Sequence, residues 1–444
     1  MKWSKYSRLF ESERNGWLLY SSASRAFLKV SGEQTEALRQ IMNDPEGYDY
    51  SQTPLLYMQL RSLGILVEDG KDEELYNIIK MRHLTALYAD QSLTLTIAVT
   101  SSCNFDCSYC FEENHRGHTM SEKTEDRLMR FIKSFHAPVL HITWYGGEPM
   151  LALERMRSIN KRLKDMGKRF DASMITNGYL LTQDKVKYLN ELGISYLQIT
   201  LDGKKETHDA RRYLAGGVGT YDRILANIDA VMKSDFRGCL HIRVNVDGRN
   251  DEEFAYVYQM MQEKYPQDFG RRITVYPGFV RGESHPDSGC FFDPARQGEF
   301  LSGMMEKYQI APLHLYPQRP SSGCVLTKRN AFVAGPDGEL YKCWDDVGNP
   351  ERIVGTVDCR NDWNMGMIAE GMTGCSFLDD AECRECFYFP VCNGGCHRIR
   401  QNNLHSDKTQ STCTYFKGNI ERLLELHYEM RMRQKSQKIK EDMA

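Results

Sequence analysis

Three cysteines in the run Cys103-Asn-Phe-Asp-Cys107-Ser-Tyr-Cys110 carry the strongest chemical signal in the chain. On a loop just after a strand, such a run can supply three thiolates to one [4Fe–4S] cube. The fourth iron then lacks a protein ligand and is open to a substrate or cofactor, whereas a cube held by four cysteines usually only passes electrons. A second group agrees. Cys383, Cys386, Cys392 and Cys396 read CxxCx5CxxxC, with Cys324 and Cys343 upstream and Cys413 downstream. Zinc also favours CxxC pairs and stays open as the alternative for this C-terminal group. Disulfides are the weaker alternative. The chain begins Met-Lys-Trp-Ser-Lys, without an apolar signal segment or a run of 18 apolar residues. The expected location is therefore the reducing cytoplasm, where such spacings signify metal.

Composition bounds the rest. At 444 residues, 41% hydrophobic and 26% charged, the chain has room for two or three ordinary globular domains. A net charge of −3 gives no reason to expect nucleic acid or a membrane surface as partner. The basic run Arg431 to Lys440 reads as the solvated last turns of a helix.

The elements that must position these cysteines fall into two patterns. Residues 16 to 30 read as a hairpin. Ser31 begins a helix with Gln34 completing a capping box. A second helix starts at Thr53-Pro54, carries Leu56, Leu60 and Leu63 on one face and stops at Gly64, before the strand Ile65-Leu-Val. Residues 1–85 thus read as a winged-helix-like module. It is neither basic nor arginine-striped, so its expected partner is a protein or peptide, taken up at an exposed strand edge.

From residue 93 strand and helix alternate. Strands are expected at 93–99, 138–144, 171–176, 195–201, 239–247 and 271–279. Helices are expected from Ser121, at 150–166, from Thr182 to Gly193, at 219–234 and at 251–263. The fold class is α/β: six βα units forming a partial (β/α)6 TIM-like barrel. Chemistry in such folds gathers at the C-terminal ends of strands. There lie Cys103–Cys110, Gly146-Gly-Glu-Pro149, Thr176-Asn-Gly and Thr200-Leu-Asp-Gly203.

These motifs resemble the radical S-adenosylmethionine (SAM) superfamily: the three cysteines with Tyr109 before the last, and Gly146-Gly-Glu-Pro149 after strand two. The C-terminal half resembles the cysteine-rich SPASM domain. Cys324, thirteen residues, Gly338, four residues and Cys343 fit its first part, Cys383 to Cys396 its second, and Cys413 its last cysteine. The implied domains are 1–85 for peptide recognition, 90–310 for the radical SAM partial barrel, 311–420 for SPASM and 421–444 for a helical tail. The resemblance implies that SAM chelates the open iron and is cleaved to methionine and a 5′-deoxyadenosyl radical, which abstracts hydrogen from an unactivated carbon. It assigns Gly146, Gly147 and Glu148 to the methionyl end, with Glu148 accepting from its ammonium. It also assigns the Tyr109 backbone and Phe279 to the adenine, and Thr200 and Arg212 to the ribose and carboxylate. For Thr200 an ordinary strand-end hydroxyl, and for Phe279 core packing, are the plain alternatives.

By the same resemblance there are three [4Fe–4S] clusters. Cys324, Cys343 and Cys396 would hold the first auxiliary cluster, and Cys383, Cys386, Cys392 and Cys413 the second. Either Cys290, Cys359 or Cys375 completes the first, or that cluster too has an open iron, able to ligate a substrate thiolate. The cysteines outside the motifs otherwise read as small buried hydrophobes, Cys239 most clearly. The expected partners are a precursor peptide or protein and an electron donor such as flavodoxin or ferredoxin.

Three functions are compatible. The first is a maturase forming a thioether or other crosslink in a ribosomally made peptide. The second is an anaerobic sulfatase maturase that makes formylglycine. The third is a non-catalytic iron–sulfur protein for peptide binding or electron transfer. Sulfatase maturases carry an Asp base directly after the cysteine equivalent to Cys343. Here that place is Trp344, with Asp345 and Asp346 following, so Asp345 is the candidate base and the peptide crosslinker is the favoured reading.

Overall fold

The computed structural model describes residues 1–110, 117–280, 292–320, 323–358, 360–407 and 409–443. Two compact units make up the chain. One contains Met1–Leu87, Asp293–Gly323 and Cys375–Ala444, the other Tyr88–Phe292 and Cys324–Gly374. The SPASM-like region is therefore divided between them.

The first unit begins with β1 (Lys2–Trp3), β2 (Ser7–Ser12), β3 (Gly16–Ser21), β4 (Phe27–Lys29), α1 (Gly32–Asn43), α2 (Pro54–Ser62), β5 (Leu66–Val67) and α3 (Lys71–Leu87). The hairpin read from the sequence is β3–β4, and β2 extends it to a three-stranded antiparallel sheet. Leu19, Leu38, Ile41, Leu56 and Leu60 close a small core between sheet and helices. Ser31 does begin α1, but the capping box does not form. The Ser31 side chain makes no cap bond; its carbonyl instead receives the Gln34 N–H (3.1 Å) and the Thr35 hydroxyl (3.1 Å). The Thr35 hydroxyl at i+4 closes the first turn on the backbone, which leaves the cap side chain dispensable.

The second unit carries β6 (Ser92–Ala98), α4 (Glu122–Lys133), β7 (Val139–Tyr145), α5 (Leu153–Asp165), β8 (Arg169–Thr176), α6 (Gln183–Glu191), β9 (Ile194–Thr200), α7 (Lys205–Arg211), α8 (Tyr221–Lys233), β10 (Cys239–Val246), α9 (Glu253–Lys264) and β11 (Ile273–Phe279). β6 to β11 pair in parallel, each with the next in sequence. All crossovers thus step the same way, and right-handed crossovers then put every helix on one face. The burial pattern agrees. Leu95, Ile97, Leu140, Ile142, Met174, Leu197, Ile199, Ile242 and Val244 face the helices and are essentially inaccessible. The alternate residues are polar and half open, among them Thr94, Thr143, Ser173, Tyr196, His241, Arg243 and Tyr276. A singly wound sheet with one polar face is a partial barrel.

The remaining elements are α10 (Pro294–Tyr308), β12 (Ala331–Ala334), β13 (Glu339–Tyr341), β14 (Gly355–Thr356), α11 (Met365–Ala369), α12 (Ala381–Arg384), α13 (His397–Leu404) and α14 (Ile420–Met443). β12 adds a parallel strand beside β6, and β13 and β14 continue antiparallel. The sequence reading had no strand there. Among the described residues no helix is long and apolar enough to cross a membrane.

Candidate active site

The cysteine loop leaves the C-terminal end of β6. The Cys110 N–H donates to the Cys107 carbonyl (3.1 Å) and the Phe105 N–H points at Cys103 Sγ (3.4 Å). The segment after α7 straps the loop: Asp106 N–H to Tyr213 carbonyl (2.9 Å), Ser108 N–H to Arg211 carbonyl (3.1 Å) and Ala215 N–H to Asn104 carbonyl (3.2 Å). Burial pushes the Cys103 thiol up to about 12, and burial likewise raises Cys107. Such thiols ionise near neutral pH when a metal centre takes the sulfur. Among the described residues no three His, Cys, Asp or Glu side chains converge as a single metal ion requires. A four-iron cube instead takes its thiolates at separate corners, and three cysteines on one strapped loop fit that donor set.

The end of β7 comes to the same loop. Gly147 N–H donates to the Thr100 carbonyl (3.0 Å) and Glu148 N–H to the Ser102 carbonyl (2.9 Å). A Cβ on Gly146 or Gly147 would run into those two carbonyls, and Gly146 has φ +128°. The glycines thus let the GGEP segment lie against the backbone that leads into the cysteines. Glu148 is fully buried and accepts from the Thr176 hydroxyl (2.7 Å), the Asn177 N–H (2.7 Å) and the Met150 N–H (2.9 Å). Burial raises its pKa while these donors oppose the rise. Three donors on a carboxylate's four lone-pair sites leave room for one more. Asn177 Nδ2 also donates to Asn104 Oδ1 (2.8 Å), tying the end of β8 to the cysteine loop.

Tyr109 does more than its backbone assignment implied. Its hydroxyl donates to Asp202, just after β9, and accepts from Arg212 Nη1 (2.7 Å) and Asn245 Nδ2 (2.9 Å). Asp202 Oδ1 receives the Asn245 N–H (2.9 Å), and Arg211 pairs with Asp247 (3.2 Å). Five strand ends are thereby bound to one loop. Thr200 is buried at the end of β9. Phe279 ends β11 half-buried, its ring 5.6 Å from that of Phe292.

Asn245 and Arg243 were not singled out from the sequence, and Asp202, Asn177 and Asn104 appeared there only within motifs, without a role of their own. The available signal was polar residues alternating within otherwise apolar strands.

The other cysteines lie as follows. In the second unit, Cys324 N–H donates to Thr327 Oγ1 (3.1 Å), and the buried Lys342 donates to the carbonyls of Lys328 (2.6 Å) and Ala331 (2.7 Å), holding this turn beside the strand that leads to Cys343. Burial lowers Lys342 to about 7. Trp344 and Asp345 are exposed, and the Trp344 ring meets Tyr145 edge-on at 5.7 Å. In the first unit, burial raises the Cys392 thiol, with Cys386 and Cys413 near enough to add to the shift. Arg400 donates to Cys383 Sγ (3.0 Å) and Lys417 to Cys413 Sγ (3.4 Å). A Cβ on Gly395 would meet the Thr412 carbonyl, so this glycine allows the Cys392–Cys396 loop to reach Cys413. Cys396 caps α13. Cys375 is buried, whereas Cys239 is not: as the first residue of β10 it falls on the half-open polar face. Cys290 and Cys359 lie outside the described residues.

Residues 97–261 match the profile of the Radical SAM superfamily. A cysteine-type anaerobic sulfatase-maturating enzyme of Clostridium novyi is 24% identical over 371 residues, covering 75% of this chain and 96% of the relative. The radical SAM cyclopropyl synthase TigE of Paramaledivibacter caminithermalis is 20% identical over 470 residues, 95% of each chain. Among solved structures, native anSMEcpe with bound AdoMet and Cp18Cys peptide superposes with a TM-score of 0.60 at 20% identity, covering 77% of this chain and 98% of that one. Streptococcus suis SuiB bound to precursor peptide SuiA gives 0.52 at 14% identity, covering 93% and 99%. With the CxxxCxxC loop at the head of a singly wound parallel sheet, residues 97–261 form a radical SAM domain, the catalytic domain of an enzyme. Its family implies a [4Fe–4S] cluster and SAM as cofactors.

Proposed function

We propose that this chain is a peptide maturase that uses SAM cleavage to form a thioether or other crosslink in a ribosomally made peptide. The observation that carries this reading is the N-terminal module. The likenesses to TigE and SuiB run over nearly the whole chain, while those to the sulfatase maturases cover about three quarters of it. β4 lies at an end of the N-terminal sheet, an edge that an extended peptide can join.

In this reading Cys103, Cys107 and Cys110 hold the catalytic cube. SAM, when bound beside this cluster, would supply the one-electron radical chemistry that takes hydrogen from a peptide carbon. The chain's own residues orient and shelter that event. The Gly146-Gly147 segment and Glu148 receive the methionyl end, Glu148 with the acceptor capacity its three donors leave. Thr200 and Arg212 would receive the ribose and carboxylate, and the Tyr109–Asp202–Asn245 bonds keep the cysteine loop in register with these strand ends. Cys383, Cys386, Cys392 and Cys413 form the second auxiliary site, with Arg400 and Lys417 supporting the sulfur charge. Each crosslink removes two hydrogens. One would be taken as a hydrogen atom by the radical that SAM supplies; the other would leave as a proton, its electron accepted by an oxidised auxiliary cluster held by Cys383, Cys386, Cys392 and Cys413.

The sulfatase-maturase reading keeps the support of its 24% identical relative. Mass spectrometry separates the two when reduced holoenzyme and SAM act on a Cys-containing candidate precursor peptide and, separately, on a Cys-containing sulfatase peptide. A crosslinked product should be lighter by about two mass units per bond, keep every sulfur and show fewer alkylatable thiols. A hydrazide-reactive product from a Cys-containing sulfatase peptide, lost in Asp345→Asn, would establish formylglycine formation instead.

A further inference from the structure

Arg243 lies on the half-open polar face, in the row Thr200–Arg243–Tyr276 across β9, β10 and β11. Its Nε donates to Asn245 Oδ1 (2.8 Å), and Asn245 Nδ2 in turn donates to the Tyr109 hydroxyl (2.9 Å). Gly278, opposite Asn245 in the register, leaves the space the guanidinium occupies: a Cβ there would collide with Nε, Cζ and Nη2. The group is thus held on one side by Asn245 and on the other by a glycine, at a fixed distance from the cysteine loop. Its terminal amines, by contrast, have neither a hydrogen bond nor an ion pair among the described residues. Of the neighbouring cations, Arg211 pairs with Asp247, and Arg212 donates to Tyr109 through Nη1 while its buried Nε has no hydrogen-bond partner among the described residues. The Tyr276 hydroxyl is directed at Gln198 Oε1 and offers no charge. A half-buried guanidinium keeps a desolvation cost that an anion would relieve, and the open fork matches the two oxygens of a carboxylate.

We infer that Arg243, seated by Asn245 and Gly278, is a receptor for a carboxylate entering the open face of the barrel. With the amino-acid end of SAM assigned to Glu148 and Arg212, the ligand that brings this chemistry is an acidic side chain or C-terminus of the peptide. The inference rests on the proposed function only in taking the open face as the entry for substrate.

The test uses anaerobically reconstituted wild-type holoenzyme and the arginine reagent phenylglyoxal, with labelling of Arg243 read by mass spectrometry of its tryptic peptide. The probes are SAM, N-acetyl-aspartyl-glycinamide added with saturating SAM, and its asparaginyl counterpart. Arg243 should be labelled without a probe and about fivefold less with a carboxylate bound in its fork, while the asparaginyl probe gives no protection. Protection by SAM alone, with no further protection by the aspartyl probe, gives Arg243 to the cofactor and overturns the inference. Protection by the aspartyl probe only, over SAM, assigns Arg243 to the peptide. Labelling indifferent to every carboxylate, or an Arg243 that never reacts, overturns the inference. Gly278→Ala is the second variant, because its methyl displaces the guanidinium while the charge stays. The protecting concentration should then rise about tenfold, and an unchanged one overturns the seated receptor. No arm needs turnover, so failure of crosslinking and failure of this site are read separately.

Discussion

Gly147 shows how little freedom the site leaves at the scale of one residue. Its Cβ position is filled by backbone, the Ser102 carbonyl, which a rotamer change cannot move aside. Gly147→Ala should therefore push the GGEP segment off the cysteine loop. SAM cleavage should fall by about a hundredfold, since a misplacement near 1 Å costs that much, and anaerobic iron analysis should show that the cluster still assembles. The glycines were legible because no other residue type fits where their backbone lies. His208 was not, because a buried histidine has no sequence signature. The Asp202 N–H donates to its Nδ1 (3.1 Å), so the ring proton is on Nε2 and donates to Thr220 Oγ1 (3.0 Å), which passes a bond to the Arg212 carbonyl (2.6 Å). Burial, helped by Arg212, pushes its pKa down to about 4. An unfolded histidine titrates near ~6.5, so between those values only the unfolded chain takes up the proton. This contribution is complete above about pH 6.5 and is lost as pH falls towards 4, amounting to about 3 kcal/mol. Urea unfolding at pH 7 and pH 4.5 should show that loss in the native chain, and His208→Gln should flatten it; equal slopes would show that His208 does not titrate on unfolding.

At the scale of elements, periodicity located the strands and helices because one face of each is apolar and the other is not. β6 to β11 fall within a few residues of their expected positions for this reason. β12 and β13 are too short to show a period, and fully buried β12 has no polar face to alternate. The pairing of helices was also invisible, since it depends on residues far apart in sequence. Glu125 on α4 is an example: at 2% exposure it accepts from Arg155 (2.5 Å), Ser158 (2.7 Å) and Arg162 (3.1 Å), all on α5. Glu125→Ala removes this tie. Both arginines are partly exposed and can turn to water, so the cost should be about 1–3 kcal/mol, below that of a fully buried pair. Chemical denaturation measures it, and Glu125→Gln should recover part through the Ser158 bond.

At the scale of the molecule, the sequence placed a boundary near residue 85, and the first unit crosses it. Tyr6 and Tyr76 share a core with Phe377, Leu378 and Phe389, and the Tyr76 hydroxyl donates to the Leu378 carbonyl (2.7 Å). No local pattern could reveal a core assembled from both ends of the chain. Deleting residues 1–85 would strip apolar cover from the cysteine-rich segment, so lost turnover would not report on peptide docking. A single edge substitution does. The Ser21 N–H donates to the Ala26 carbonyl (2.9 Å) and the Val30 N–H to the Trp17 carbonyl (2.8 Å), while Leu19 faces Leu28. Antiparallel alternation then turns the N–H groups of Phe27 and Lys29 away from β3, towards an incoming strand. Lys29→Pro removes one outward donor without touching the β3 ladder. If the peptide docks by strand addition at β4, its KM should rise about tenfold with kcat within about twofold, the effect of losing one docking bond and the local concentration it provides. An unchanged KM would place the peptide elsewhere on the module.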